Sequence, residues 1–326
     1  MLKGILLVFV FLVGVAQANA QLKTLWSLGE SNDESSEFAL APDGYGDFLK
    51  NDFGWEDRFF VVGFSKLQSD FPYVLPGSAD YWGGTSSLTA DWGDVQPEHG
   101  RGVDLDENTH RSVDIYDNAM FIIALDNLME LLPKTKMKWF PVREQIAENS
   151  KKLLWDTQNQ KFIPHLYLEE GSPFPDDFDE KEIYYFGGTA IAIEAGLLTR
   201  EEVKISIDEM IRLLKVAGAP SIGLTLYPTY PEGFFKNPIM APVYHYQNGG
   251  DWTWFGGRMI QQLVQYGFVE EAYEQLLPMT SRVIENDGFF EWHTVDNKPK
   301  GSGTFRGEAG VLFVAIQMLE EWAAEQ

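Results

Sequence analysis

The chain has 326 residues, a formal net charge of -24 at pH 7 and no cysteine. This charge argues against nucleic-acid binding, which needs clustered Lys and Arg to replace the counterions of the phosphates. It also disfavours strongly acidic polymers as ligands, whereas neutral sugars are indifferent to net charge. Because no disulfide can form, the fold depends on core burial, and the chain is long enough to bury a sizeable core.

The first 20 residues have the pattern of a bacterial-type signal peptide. Lys3 supplies the positive charge, Ile5 to Val15 the apolar run, and Ala18-Asn19-Ala20 a small-residue cleavage site. The apolar run is too short to span a bilayer comfortably, and the alternative interpretation is an uncleaved anchor. We expect an exported protein, periplasmic or secreted, without stable membrane insertion.

Residues 21–97 form a short aromatic segment that is rich in turns. The run from Phe60 to Phe64 is predicted as a strand, and Pro- and Gly-containing turns surround it. The segment is too short and broken for an independent sandwich. Its stretches Ser36 to Pro42 and Asp70 to Gly77 loosely resemble the opening segment of secreted bacterial polysaccharide lyases and their relatives, and the alternative is a packing arm laid over the helical body. We place the start of the second domain, 98–326, in the polar passage from Pro97 to Arg111.

Helical stretches of two alternating kinds occupy the second domain. One kind is apolar on nearly every side, which predicts burial all round; it covers 117–132, 182–196, 252–266 and 307–323. The other kind carries one apolar stripe and a charged face, and it covers 139–156, 200–216 and 268–286. In the second of these the stripe is Ile205, Ile207, Met210, Ile211 and Leu214.

This alternation predicts an all-α fold, an (α/α) toroid of helical hairpins. Its seven helices are fewer than a complete ring of hairpins requires, and they correspond to the later part of one. An incomplete ring exposes apolar edges, so we expect that a homo-oligomer completes it, or that the chain is a fragment or no longer catalyses.

Two aspartates, Asp114 and Asp117, lie at the entrance to the first helix of the domain. Asp is a preferred N-cap residue, and a cap is the simplest interpretation of either carboxylate. There are two aspartates for one cap, so the sequence leaves open which of them has another role.

The loop from Tyr244 to Gly257 is the most specific signal in the chain. Its four glycines let the backbone approach a ligand closely, and its aromatic and polar side chains suit a polyhydroxylated ring. The alternative is that the Trp residues belong to the core and Asp251 caps the helix. The candidate ligand contacts are Tyr246, Gln247, Asn248, Asp251, Trp252 and Trp254.

A third loop, Gly288 to His293, places Glu291 between aromatic residues, next to Trp292. A carboxylate in such a desolvated setting is a candidate general base. Glu308 is the alternative base, although a first-turn residue favoured by the helix dipole explains it more simply.

Taken together, these loops resemble the six-hairpin (α/α)6 glycosidases, particularly the inverting clan with trehalases, processing α-glucosidases and glycogen-debranching enzymes. Tyr116 to Ala119 is similar to their Trp-Asp-Asn-Ser type motif, and Phe289 to Trp292 is similar to their aromatic-Glu-aromatic segment. Gln247 to Trp252 resembles their middle motif but departs from its usual forms, so the resemblance does not identify the sugar.

The resemblance covers residues 98–326 and implies an inverting glycoside hydrolase that acts on a poly- or oligosaccharide. It gives Asp117 the role of general acid and Glu291 that of general base. The residues expected to hold the sugar are Tyr116, Tyr246, Gln247, Asn248, Asp251, Trp252, Trp254, Trp292 and Arg306.

Two other functions stay open. A polysaccharide lyase on a helical toroid would use a Tyr and a His, as in Tyr244 to Tyr246, with Arg111, Arg258 or Arg306 near the uronate. A non-catalytic sugar-binding protein would bind oligosaccharide without consuming it. No cofactor is expected; Asp104, Asp106 and Glu107 offer oxygen ligands for Ca²⁺, although an acidic solvated loop explains them more simply.

Overall fold

The computed structural model describes residues 110, 112–131, 133–168, 171–303 and 305–325. The predicted signal peptide, the aromatic segment 21–97 and the acidic run 104–107 lie outside the described residues, as does the side chain of Arg306. Within the described part of the chain, no helix has the length and apolar character needed to cross a membrane.

The chain divides into two compact units. The described residues of the first unit are 124–131 and 133–141, and those of the second are 110, 112–123, 142–168, 171–303 and 305–325. In the first unit, the Lys138 ammonium lies 4.4 Å above the ring of Trp139. The candidate site lies in the second unit.

Seven α-helices and eight two-residue strands occupy the described residues. The helices are α1 Ile115–Leu131, α2 Lys136–Leu154, α3 Phe186–Glu194, α4 Arg200–Ala217, α5 Thr253–Gln265, α6 Val269–Asn286 and α7 Arg306–Ala324. They coincide with the predicted helical stretches, and the all-α fold class is confirmed.

The strands form four antiparallel pairs. β1 (Ser112–Val113) pairs with β4 (Leu166–Tyr167), and β2 (Trp155–Asp156) pairs with β3 (Lys161–Phe162). β5 (Tyr184–Tyr185) pairs with β6 (Leu226–Tyr227), and β7 (Trp292–His293) pairs with β8 (Pro299–Lys300). Such short ladders fix the places where loops enter and leave the helices.

Helix α4 shows how the sequence sets its own bounds. Thr199 and Glu202 form a capping box at its start, and Gly218 ends it with a left-handed φ of 70°. Its buried face comprises Val203, Ser206, Ile207, Met210, Leu213 and Leu214. The predicted stripe was wrong at Ile205, which is 44% exposed because it lies beside the stripe rather than on it.

The inner helices α3, α5 and α7 lie side by side, with α4 against α3 and α6 against both α5 and α7. Residues 186–193 of α3 are all buried, as predicted for a helix without a polar face. The close approach of α5 and α7 requires Gly257, because a Cβ there would lie 2.8 Å from Cγ2 of Val311.

Helix α7 departs from the prediction that it is buried all round. Phe313 is 66% exposed and Trp322 41% exposed. The extensive contacts of α7 in the described part of the chain are with α5 and α6, which cover one side of it. Apolar residues therefore lie on both the buried and the exposed face of α7. Because the two faces have the same apolar composition, the sequence does not show which of them is buried.

Candidate functional site

The structure shows which of the two aspartates at the start of α1 is the N-cap. Asp114 is the cap, because its Oδ1 accepts the backbone N–H of Asp117 at 2.9 Å. Asn118 Nδ2 donates to the carbonyl of Asp114 at 2.7 Å and fixes the turn. Burial raises the pKa of Asp114, which is 1% exposed. Asp117 lies half-buried in the first turn, and its side chain is not the cap.

The loop before α5 is built from hydrogen bonds within the protein. Thr225 Oγ1 donates to the carbonyl of Gln247 at 2.8 Å and accepts the N–H of Gly249 at 3.0 Å. Asn248 Oδ1 accepts the N–H of Tyr230 at 2.9 Å, and its Nδ2 donates to two carbonyls. The Gln247 and Asn248 side chains are 0% exposed, so the loop encloses them.

Tyr246 and Trp252 are locked together in this loop. Trp252 Nε1 donates to the carbonyl of Tyr246 at 3.1 Å, and the two ring centroids are 5.1 Å apart. Tyr244 and Tyr246 both have left-handed φ angles, 57° and 48°. Bulky residues seldom adopt that conformation, and it persists where surrounding contacts over-determine it, as at functional sites.

Glu291 precedes a hairpin that returns to the start of α7. Its N–H donates to the carbonyl of Ser302 at 3.0 Å, and its Oε2 accepts the N–H of Ser302 at 3.2 Å. Trp292 pairs with Lys300 immediately afterwards. Gly301 has a φ of 70°, and a Cβ there would clash with Glu291 Oε2, so the carboxylate rests against a backbone without a side chain. Glu291 is half-buried.

A series of ring contacts links the Asp117 segment to the Glu291 segment. Tyr116 meets Phe255 at 5.9 Å, and Phe255 meets Trp252 at 6.4 Å. Tyr246 then lies 6.1 Å from Trp292, the neighbour of Glu291. The three loops singled out in the sequence therefore meet around Trp252, which is 1% exposed.

Comparison with solved structures identifies the fold. A mannosylglycerate hydrolase of glycoside hydrolase family GH63 from Thermus thermophilus, in complex with Tris, has 14% identity and a TM-score of 0.55, over 91% of this chain and 76% of that one. An uncharacterized conserved protein from the same organism matches with 14% identity and a TM-score of 0.55, over 92% and 76%. The described residues have the hairpin arrangement of a six-hairpin glycosidase-type fold, with seven of its helices.

The mannosylglycerate hydrolase in complex with glucose matches with 19% identity and a TM-score of 0.46, over 65% of this chain. In that alignment the chain spans about half of the hydrolase, 48% of its length. No protein-family model matches the chain, and no curated protein matches it. At these identities the likeness establishes the six-hairpin fold and not the reaction.

Behind the Glu291 segment, this six-hairpin fold holds a buried ionic cluster. Arg282, 1% exposed on α6, lies 2.9 Å from Asp251 Oδ1 and 3.9 Å from Glu308 Oε1. Thr253 Oγ1 accepts from Arg282 and donates to Glu308. Ser221 Oγ lies 2.8 Å and 2.7 Å from the two oxygens of Asp251, to which it donates. Asp251 is therefore engaged inside the protein.

Burial dominates the titration of this cluster. It raises the pKa of Glu308 to about 7, against the opposing effects of Thr253 and Arg282. Burial, and then the charge of Arg282, lowers the pKa of His293 to about 3. At neutral pH His293 is uncharged, and its Nδ1 is buried without a hydrogen-bond partner in the described part of the chain.

A second buried cluster centres on Glu180. Its Oε1 lies 2.7 Å from His165 Nδ1, and it accepts hydroxyl protons from Tyr167 at 2.9 Å and Tyr230 at 2.7 Å. Burial, and then the charge of Glu180, raises the pKa of both tyrosines well above their usual range. The cluster ties the loop after β4 to the loop after β6, and the charge of His165 favours ionised Asp114.

The structure thus brings Tyr116, Tyr246, Trp252, Trp292 and Glu291 into one region. Trp254 is half-buried beside Gly307 and under the guanidinium of Arg258, which pairs with Glu194 at 2.6 Å. Among the described residues no group of carboxylates and histidines is arranged to hold a metal ion.

Sequence reasoning missed Arg282, Thr253 and Ser221 altogether. One signal was present: Arg282 continues the stripe of Ala272, Leu276 and Met279 on α6. A charged residue at a position of the buried apolar stripe indicates that an oppositely charged group is buried beside it.

Proposed function

We propose that the chain hydrolyses O-glycosidic bonds of a poly- or oligosaccharide with inversion, using Asp117 as general acid and Glu291 as general base. The six-hairpin fold and the glycoside hydrolases that share it support this class of reaction. The observation that supports the assignment is the series of ring contacts that runs from Tyr116, next to Asp117, to Trp292, next to Glu291.

The proposed chemistry follows from the two carboxyl groups. Asp117 donates its proton to the glycosidic oxygen as the bond to the anomeric carbon breaks. Glu291 takes a proton from the water that attacks the opposite face, which needs roughly 6.5 to 9.5 Å between the carboxyl groups. Only one Glu291 oxygen, Oε2, is engaged by a hydrogen bond in the described part of the chain, and the other is available for that water.

The aromatic residues and the charge both favour a sugar without acidic groups. A flat ring such as that of the half-buried Tyr246 suits the apolar face of a pyranose, and the net charge of -24 disfavours a polyanion. We also propose, from the sequence, that the protein is exported, that it needs no cofactor, and that copies associate through apolar edges such as the outer face of α7.

The experiment is a screen of purified protein against a glycan panel, with the anomer of the product followed by NMR. Asp117→Asn and Glu291→Gln should each abolish turnover, whereas Asp114→Asn, which keeps a capping side chain, should retain it. Unchanged hydrolysis by either of the first two variants would refute the assignment.

The same screen separates the alternatives. Ultraviolet absorbance from unsaturated products, without hydrolysis, would identify a lyase. Saturable binding without any product would identify a sugar-binding protein.

A further inference from the structure

Arg282 is a fully buried cation on an outer helix, and it faces the inner helices. An unpaired buried charge is strongly destabilising, so the folded protein must hold the partners of Arg282 in contact with its guanidinium. These partners come from two separate places in the chain. Asp251 and Thr253 lie at the start of α5, and Glu308 lies in the first turn of α7.

The main chain of Asp251 connects this cluster to the Glu291 segment. The N–H of Asp251 donates to the carbonyl of His293 at 2.8 Å, and the N–H of His293 donates back at 2.8 Å. His293 is two residues after Glu291. On the other side of Glu291, the N–H of Phe305, at the start of α7, donates to the carbonyl of Phe289 at 2.9 Å. The segments before and after Glu291 are therefore each bonded to the start of a helix that Arg282 contacts.

We propose that Arg282 is a positioning residue for Glu291: by tying Asp251, Thr253 and Glu308 together, it fixes the segment that carries the base. This inference rests on the proposed function and adds to it a residue that touches no substrate. Misplacement of a catalytic group by about 1 Å costs on the order of 100-fold in rate, so an anchor of this kind controls turnover without contributing to binding.

The charges around Arg282 make the anchor specific for a guanidinium. Asp251 faces it from the loop before α5, Thr253 from α5, Glu308 from α7 and the uncharged His293 from β7. Arg282 Nη1 reaches Asp251 while Nη2 reaches Thr253. Lys offers a single ammonium and cannot span both, so Arg282→Lys should restore only part of the function.

The test compares Arg282→Met and Arg282→Lys with Lys151→Met. Lys151 is a control because it also lies on an outer helix and pairs with a carboxylate, Glu202, at 2.8 Å, but it is partly exposed and does not contact the Glu291 segment in the described part of the chain. Two readouts are used: hydrogen exchange of the amides of residues 289–294, which does not need activity, and kcat and KM on the best glycan.

We expect Arg282→Met to raise exchange in 289–294 at least tenfold and to lower kcat at least tenfold, with KM changed less than threefold. Arg282→Lys should recover part of the loss, and Lys151→Met should leave both readouts within twofold of wild type. If Arg282→Met does not fold, Thr253→Val removes the hydroxyl bridge between Arg282 and Glu308 while keeping both charges, and smaller changes in the same direction are expected in both exchange and kcat.

Exchange and kcat that stay at the wild-type level in a folded Arg282→Met or Thr253→Val would overturn the proposal, as would equal effects of Lys151→Met. A wild-type chain that is inactive on every glycan overturns the proposed function and, with it, the role of Arg282. An active wild type with unchanged exchange in the variants overturns the positioning role alone.

Discussion

Replacing Glu308 by Gln should make the protein less sensitive to alkaline pH. Burial raises the pKa of this carboxyl from 4.5 to about 7 in the folded protein. Between those values the folded state holds a proton that the unfolded state has lost, so the free energy of unfolding falls as pH rises. The shift corresponds to about 3 kcal/mol above pH 7, at about 1.4 kcal/mol for each pKa unit.

Urea unfolding at pH 5 and at pH 8.5 measures this effect. Glu308→Gln should differ little from wild type at the lower pH and should recover about 2 to 3 kcal/mol relative to it at the higher pH. Glu202→Gln is the control with the opposite sign, because Lys151 and Thr199 lower the pKa of Glu202 against its partial burial. The free energy of unfolding that Glu202→Gln loses relative to wild type should be larger at neutral pH than at acid pH.

The reasoning would be refuted by a difference between Glu308→Gln and wild type that is the same at both pH values. That result would mean that Glu308 is ionised throughout this range and fully compensated by Arg282.

Other expected outcomes follow from single contacts. His293 has a folded pKa of about 3, so stability is lost as pH falls below 6.5, and His293→Gln should recover about 2 kcal/mol at pH 5 in the same unfolding assay. Asp114→Ala removes the cap of α1 and should cost about 1 kcal/mol in urea unfolding, whereas Asp114→Asn should cost less. Gly257→Ala places a methyl group 2.8 Å from Val311 and should lower the unfolding midpoint, with a cost of about 1 to 3 kcal/mol for overpacking.

The helices were predictable because their periodicity is local. The run from Phe186 to Ile193 has no polar face, and the structure buries it completely. The exposed face of α7 was not predictable in this way, because the sequence neighbours of the exposed Phe313 are as apolar as those of a buried residue. What covers a helix depends on distant parts of the chain.

The candidate site was predicted from the sequence only through the resemblance of three loops to the motifs of a family. Which aspartate caps α1 was open until the bond from Asp117 N–H to Asp114 was seen, since both fit the same preference. The cluster around Arg282 joins residues from four places in the chain, and their pairing depends on the packing of α5, α6 and α7. The spacing of these residues along the sequence does not predict that they come into contact.

The hairpin after Glu291 has a hydrogen-bonded base and an exposed tip. Its base is fixed by the ladders of Trp292 and His293, whereas Asp296 and Lys298 at its tip are exposed and bonded mainly to each other and to Thr294. Insertions or exchanges at the tip would leave intact the backbone bonds that hold Glu291, so the loop can change in length without moving this carboxylate.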